Sequence, residues 1–110
     1  MPAVGQKTER LIHVLGEMAD LLESDGERNW QYWARGARSM LMQGDYSAIS
    51  YVRTAYGGMG TLNDLVLGQT EENGVWTWKP GYRELNDRFD HLRGQAWELT
   101  DDIKELGTLG

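Results

Sequence analysis

The chain has no cysteine, so it can build neither a disulfide framework nor a thiolate zinc site, and it has no cysteine nucleophile. Cations are scarce as well: 11 Lys and Arg stand against 17 Asp and Glu, a net charge of -6. A surface of that sign repels nucleic-acid phosphates and displaces none of their counterions, so the expected partner is not DNA or RNA but a protein with a basic surface. Long hydrophobic runs are missing too. No stretch approaches the roughly 18 apolar residues that span a bilayer. The opening Met1-Pro2-Ala3-Val4-Gly5-Gln6-Lys7 lacks the apolar core of a secretion signal. The expected setting is the cytoplasm, with no membrane partner.

What remains is the composition of a folded domain. Hydrophobic residues make up 40% of the chain and aromatics 10%, with five Trp and five Tyr against a single Phe, which argues against disorder outside the ends. A chain of 110 residues supports one hydrophobic core, burying roughly two-thirds of the surface it exposes when unfolded. Residues 1–110 are therefore read as a single domain.

The apolar pattern predicts a mainly α fold of four helices, with a small β-hairpin before a long C-terminal helix. Leu11, Val14, Leu15, Met18, Leu21 and Leu22 form one broad stripe on a helix from about Lys7 to Glu23, which Ser24-Asp25-Gly26 stops. A second helix, about Glu27 to Gln43, carries Trp30, Trp33, Ala34, Ala37, Met40 and Leu41 at helical spacing and ends at Gly44. Asp45 is placed to cap a third, short helix from about Tyr46 to Tyr56. After a glycine-rich break, Leu65-Val66-Leu67 and Val75-Trp76-Thr77-Trp78 read as two strands separated by residues 68–74, a hairpin spanning about 64–79. Tyr82, Leu85, Phe89, Leu92, Ala96, Leu99, Ile103 and Leu106 then mark a helix that starts near Pro80 and is expected to be the central support of the domain.

Few groupings carry chemistry. Glu84, Asp87 and His91 share one face of the last helix, but Arg83 with Asp87 and Glu84 with Arg88 stand four residues apart, the arrangement of a solvated helix face, and no second helix offers a matching Glu-x-x-His. His13 lies at the margin of the first apolar stripe and reads as a boundary residue. No serine occupies a Gly-x-Ser-x-Gly elbow. No cofactor, metal site or catalytic set is expected, and the chain is read as a non-enzyme.

Two features suggest binding instead. The first is the C-terminal half of the last helix, where Glu98, Asp101, Asp102 and Glu105 give a negative side able to steer a basic partner. Trp97, about 100° off the apolar stripe, either stands exposed there as an interface anchor or packs against the N-terminal segment. Trp30 and Trp33 follow the core period, and Trp76 and Trp78 share one side of their strand, which either covers the helices, the favoured reading, or faces solvent. The second feature is Gly57-Gly58-Met59-Gly60-Thr61-Leu62-Asn63-Asp64. Its structural reading is a helix end followed by a turn locked by side-chain hydrogen bonds from Thr61, Asn63 and Asp64. Its functional reading is a binding loop, although it lacks the Gly-x-x-x-x-Gly-Lys of a phosphate loop.

The same stretch, followed by a hairpin-like segment and the Tyr82-Arg83-Glu84-Leu85-Asn86 start of the last helix, resembles a family of small uncharacterised bacterial proteins marked by Gly-Met-Gly-Ser/Thr-x-Asn-Asp. The resemblance covers roughly Asp45 to Leu106. Small single-domain proteins of this kind often resemble immunity proteins. That implies stoichiometric inhibition of a cognate toxin, with Trp97, Glu98, Asp101 and Asp102 as the contact set and Gly58, Met59, Gly60, Thr61, Asn63 and Asp64 as a second candidate surface. The alternative is a small enzyme or ligand-binding protein whose site is the loop at 57–64.

Overall fold

The computed structural model describes residues 5–57 and 61–109, with side chains through Glu105. Gly58, Met59 and Gly60 of the glycine loop, and the side chain of Leu106, lie outside the described residues. The elements follow the order α1 (Gln6–Ser24), α2 (Arg28–Met42), α3 (Ser47–Thr54), a 3₁₀ turn (Leu62–Asp64), β1 (Gln69–Glu72), β2 (Val75–Trp78) and α4 (Tyr82–Leu109). The fold is mainly α, with a two-stranded antiparallel hairpin before a long last helix. Among the described residues no helix is long and apolar enough to cross a membrane.

The helix ends follow local chemistry. At the close of α1, Glu27 N–H bonds Leu22 O at 2.9 Å and Gly26 N–H bonds Glu23 O at 3.1 Å. At the close of α2, Asp45 N–H bonds Met40 O at 2.8 Å and Gly44 N–H bonds Leu41 O at 3.0 Å. Both ends thus satisfy their last carbonyls with the same paired bonds around a glycine. Asp45 accepts from both the backbone N–H of Ser47 (3.0 Å) and its hydroxyl (2.6 Å), which orients the first turn of α3. Those two bonds, the hydroxyl's first, hold the Asp45 carboxyl below its ordinary pKa.

The centre of the domain is α1, not α4. Beyond Thr8 and Leu11, its buried residues come in adjacent pairs, Val14-Leu15, Met18-Ala19 and Leu21-Leu22. Neighbours on a helix diverge by about 100°, so such pairs give α1 an apolar surface wide enough for two partners. It packs on α2 through Trp33, Ala34, Ala37 and Leu41, and on α4 through a stripe from Phe89 to Ile103. The unbroken stripe of α4 promised a central role, but one stripe serves one side. Leu62 and Leu67, from the irregular segment after α3, complete the core. Trp33 is buried and Trp30 is half-buried against it, their rings edge to face at 5.6 Å.

The hairpin differs from the expected one. Residues 65–67 do not pair in a sheet: Leu67 N–H bonds the Asn86 Oδ1 at 2.8 Å, and Asn86 Nδ2 bonds Leu67 O at 2.8 Å. One side-chain amide thus does for Leu67 what a neighbouring strand does, and an apolar run that reads as a strand stays single. The first strand is the polar run Gln69–Glu72, paired in the register Gln69↔Trp78, Thr70↔Thr77, Glu71↔Trp76 and Glu72↔Val75. Its turn is Asn73-Gly74, with φ of 53° and 81°, the mirror-image turn that two-residue hairpins favour.

Candidate functional site

The C-terminal half of α4 keeps its acidic side chains at the surface, but most engage partners within the chain. Trp97 is 40% exposed and packs against the end of α3. Its ring lies 5.1 Å from that of Tyr56, with the Arg53 guanidinium 3.9 Å above it. Arg53 also donates to Thr100 Oγ1 at 3.1 Å and lies 3.5 Å from Asp101. Asp102 pairs instead with Lys7 at the start of α1, at 2.9 Å. The structure therefore separates the expected contact set: Trp97 and Asp101 tie α3 to α4, Asp102 ties α1 to α4, and Glu98 is exposed with no ion pair among the described residues. Each exposed acidic group that gains an internal cation loses part of its field on a partner.

The described part of the glycine loop is bound inward. Asn63 Nδ2 donates to Tyr56 O at 3.0 Å, closing the loop on the end of α3, and Leu62 N–H bonds Ala55 O at 2.9 Å. Arg93 of α4 reaches across to the carbonyls of Leu62, Asn63 and Leu65 at 2.7, 3.1 and 3.2 Å, while pairing with Asp90. Leu62 is fully buried between these anchors. A shallow groove of about 370 Å³ lies beside them, lined by Tyr56, Asn63, Asp90, Arg93, Gly94 and Trp97. Its polar groups are occupied, since the Tyr56 hydroxyl donates to Arg93 O at 2.8 Å. Burial raises the Tyr56 pKa, so the phenol stays neutral, and burial lowers that of the Arg93 guanidinium.

Elsewhere on α4, Glu84, Asp87 and His91 are exposed, as on a solvated face. The expected pairs four residues apart do not form among the described residues. Arg83 instead donates to the Tyr82 hydroxyl at 3.2 Å, and Arg88 approaches Glu17 of α1 at 4.0 Å. His13 is largely exposed and lies 3.3 Å from Glu17.

The surface that the sequence reading misplaced is the hairpin. Trp76 is 64% exposed and Trp78 46% exposed, beside exposed Val75 and Val66. The strand alternation places Trp76 and Trp78 on one side, as expected, but that side is largely open, with Trp78 resting against Tyr82 at the start of α4. The cross-strand neighbours on that side, Gln69 and Glu71, are polar and exposed. The body of the protein holds the base of the hairpin. Asp25, with its side chain only 4% exposed, takes Gly68 N–H on both carboxylate oxygens at 3.1 Å and Lys79 Nζ at 2.8 Å. Gly68 has φ +87°, and a Cβ there would fall 2.7 Å from the Cβ of Tyr82, so the chain passes too close to α4 for any side chain. Trp78 stacks on Tyr82 at 4.6 Å and 24°. In front, Trp76 and Trp78 join Leu65, Val66, Glu27 and Asp64 around a groove of about 440 Å³. The Asn73-Gly74 pair was the sequence signal for this geometry, because it fixes the register and hence the side on which the indoles stand.

Residues 23–75 match the model of a family described as a domain of unknown function, DUF6966, a stretch running from the end of α1 to the first residue of β2. No curated protein and no solved structure matches the chain.

Proposed function

We propose that this chain acts by binding another protein one to one, as a cytoplasmic immunity protein that neutralises a cognate bacterial toxin by covering its active site or substrate entry. The observation that carries the reading is the pair of exposed indoles on β2, fixed to the helical body by Asp25 and Asn86. Large aromatic side chains held rigidly in the open are the residues that dominate binding energy in protein interfaces, because few rotamers are lost when they dock. The net charge of -6 favours a toxin with a basic surface and speeds its capture.

The contact surface proposed from this geometry is the hairpin, with Glu98 and the acidic side of α4 contributing long-range attraction. The small-ligand reading of the 57–64 loop gains less support, because Asn63 closes the loop and Arg93 binds its carbonyls. Co-expression with a candidate toxin domain tests the proposal. Protection of the cells and a one-to-one complex in titration calorimetry are expected. Survival no better than without the chain, with no heat of binding, contradicts it.

A further inference from the structure

Building on that protein-binding reading, we infer that the groove in front of β2 receives an arginine or lysine side chain of the partner, flanked by aliphatic residues. The groove is of mixed character, lined by the Trp76 and Trp78 indoles with Leu65 and Val66 and by the carboxylates of Glu27 and Asp64. Glu71 stands directly across the ladder from Trp76, on the same side of the hairpin. Asp25, also at the groove, is already held by Lys79. Glu27 and Glu71 make no ion pair among the described residues. Indole faces beside carboxylates suit a cation whose stem is apolar. The stem lies on the rings, the head is attracted by the ring quadrupole, and the carboxylates complete its charge.

The chain already builds this combination once, internally. Arg53 lies 3.9 Å over the Trp97 ring, with Asp101 3.5 Å from its guanidinium. The hairpin groove repeats the indole and the acid without a cation of its own on Trp76. A second copy of this chain is a poor occupant, because two such rims would bring like charges together at a net charge of -6 each. Planar, weakly hydrated guanidinium fits better than ammonium, so arginine is the stronger ligand.

The test uses the full chain labelled with ¹⁵N, following the indole N–H resonances of its five tryptophans. The probe is a blocked pentapeptide with arginine at its centre between leucines, compared with a twin carrying glutamate there. The expected result is saturable movement of the Trp76 and Trp78 resonances with the arginine peptide and none with its twin. The double variant Glu27→Gln, Glu71→Gln, which leaves the hairpin ladder intact, should weaken that binding by about tenfold. Trp76→Ala should abolish it, and the charge variants decide the matter should the hairpin fail to form in that protein.

Equal movement with both peptides, no movement, or movement of Trp97 alone overturns the inference, as does a shift that follows protein concentration instead of peptide. The toxin complex separates this inference from the reading beneath it. Full-strength one-to-one binding by the Glu27→Gln, Glu71→Gln and Trp76→Ala proteins sinks the groove and leaves immunity standing, whereas no toxin binding by the unaltered chain sinks both.

Discussion

Asp25 and Asn86 decide where the hairpin stands. Asn86 bonds both backbone groups of Leu67 and also donates to Tyr82 O at 2.8 Å. Its truncation to alanine strands polar groups in a half-buried place, and Asn86→Ala should lower stability by about 1–3 kcal/mol, read by urea denaturation. Loss of no more than the usual surface effect would place the anchor elsewhere. Neither residue was legible as an anchor in the sequence. Asp25 looked like part of a helix stop, which it also is, and Asn86 like one polar position on α4. Their partners lie 43 and 19 residues away, beyond the reach of any local pattern.

Two titrations belong to the same scale. The Asp45 carboxyl, held below its ordinary value by Ser47, contributes stability that is fully present above the unfolded aspartate pKa and is lost as pH falls through the lower folded value. Its ¹³C resonance should titrate below the ordinary aspartate range and move up in Ser47→Ala. Tyr56 has the opposite sense, because burial raises its pKa. Its neutral form stabilises the fold fully below the unfolded tyrosine pKa, and that contribution declines as pH rises above it. Absorbance titration should therefore show one of the five tyrosines ionising after the rest, with that late step missing in Tyr56→Phe; all five ionising together in the unaltered chain would contradict it.

At the scale of elements, all four helices could be read from the sequence because apolar spacing, glycine stops and the Asp45 cap all agree. The hairpin was legible as an element but not in its register. Gln69-Thr70-Glu71-Glu72 is too polar to look like a strand, whereas Leu65-Val66-Leu67 looks like one and has its backbone satisfied by a side chain. Strand alternation put Trp76 and Trp78 on one side without deciding whether that side is covered, and pairing with the polar run Gln69–Glu72 leaves them exposed. Two glycine substitutions separate the causes. Gly74→Ala meets open space and bears only the backbone cost of φ +81°, about 1–2 kcal/mol. Gly68→Ala adds the 2.7 Å approach to Tyr82 and should lower the melting temperature further. Equal losses would mean that the hairpin does not press on α4.

For the whole molecule, measuring 55 × 25 × 20 Å, the account makes a spatial claim. Helices α1, α2 and α4 supply a scaffold that holds out the hairpin, the proposed binding surface, while the acidic side of α4 is partly neutralised by Arg53 and Lys7. The sequence located charge correctly but could not show which charges meet cations within the chain, since Lys7 and Asp102 are 95 residues apart. Amide hydrogen exchange on the chain, free and in complex with the toxin domain it is proposed to bind, tests that claim most directly. The account predicts slowed exchange concentrated over residues 65–78. Protection confined to the C-terminal half of α4, with the hairpin exchanging as in the free chain, would contradict it.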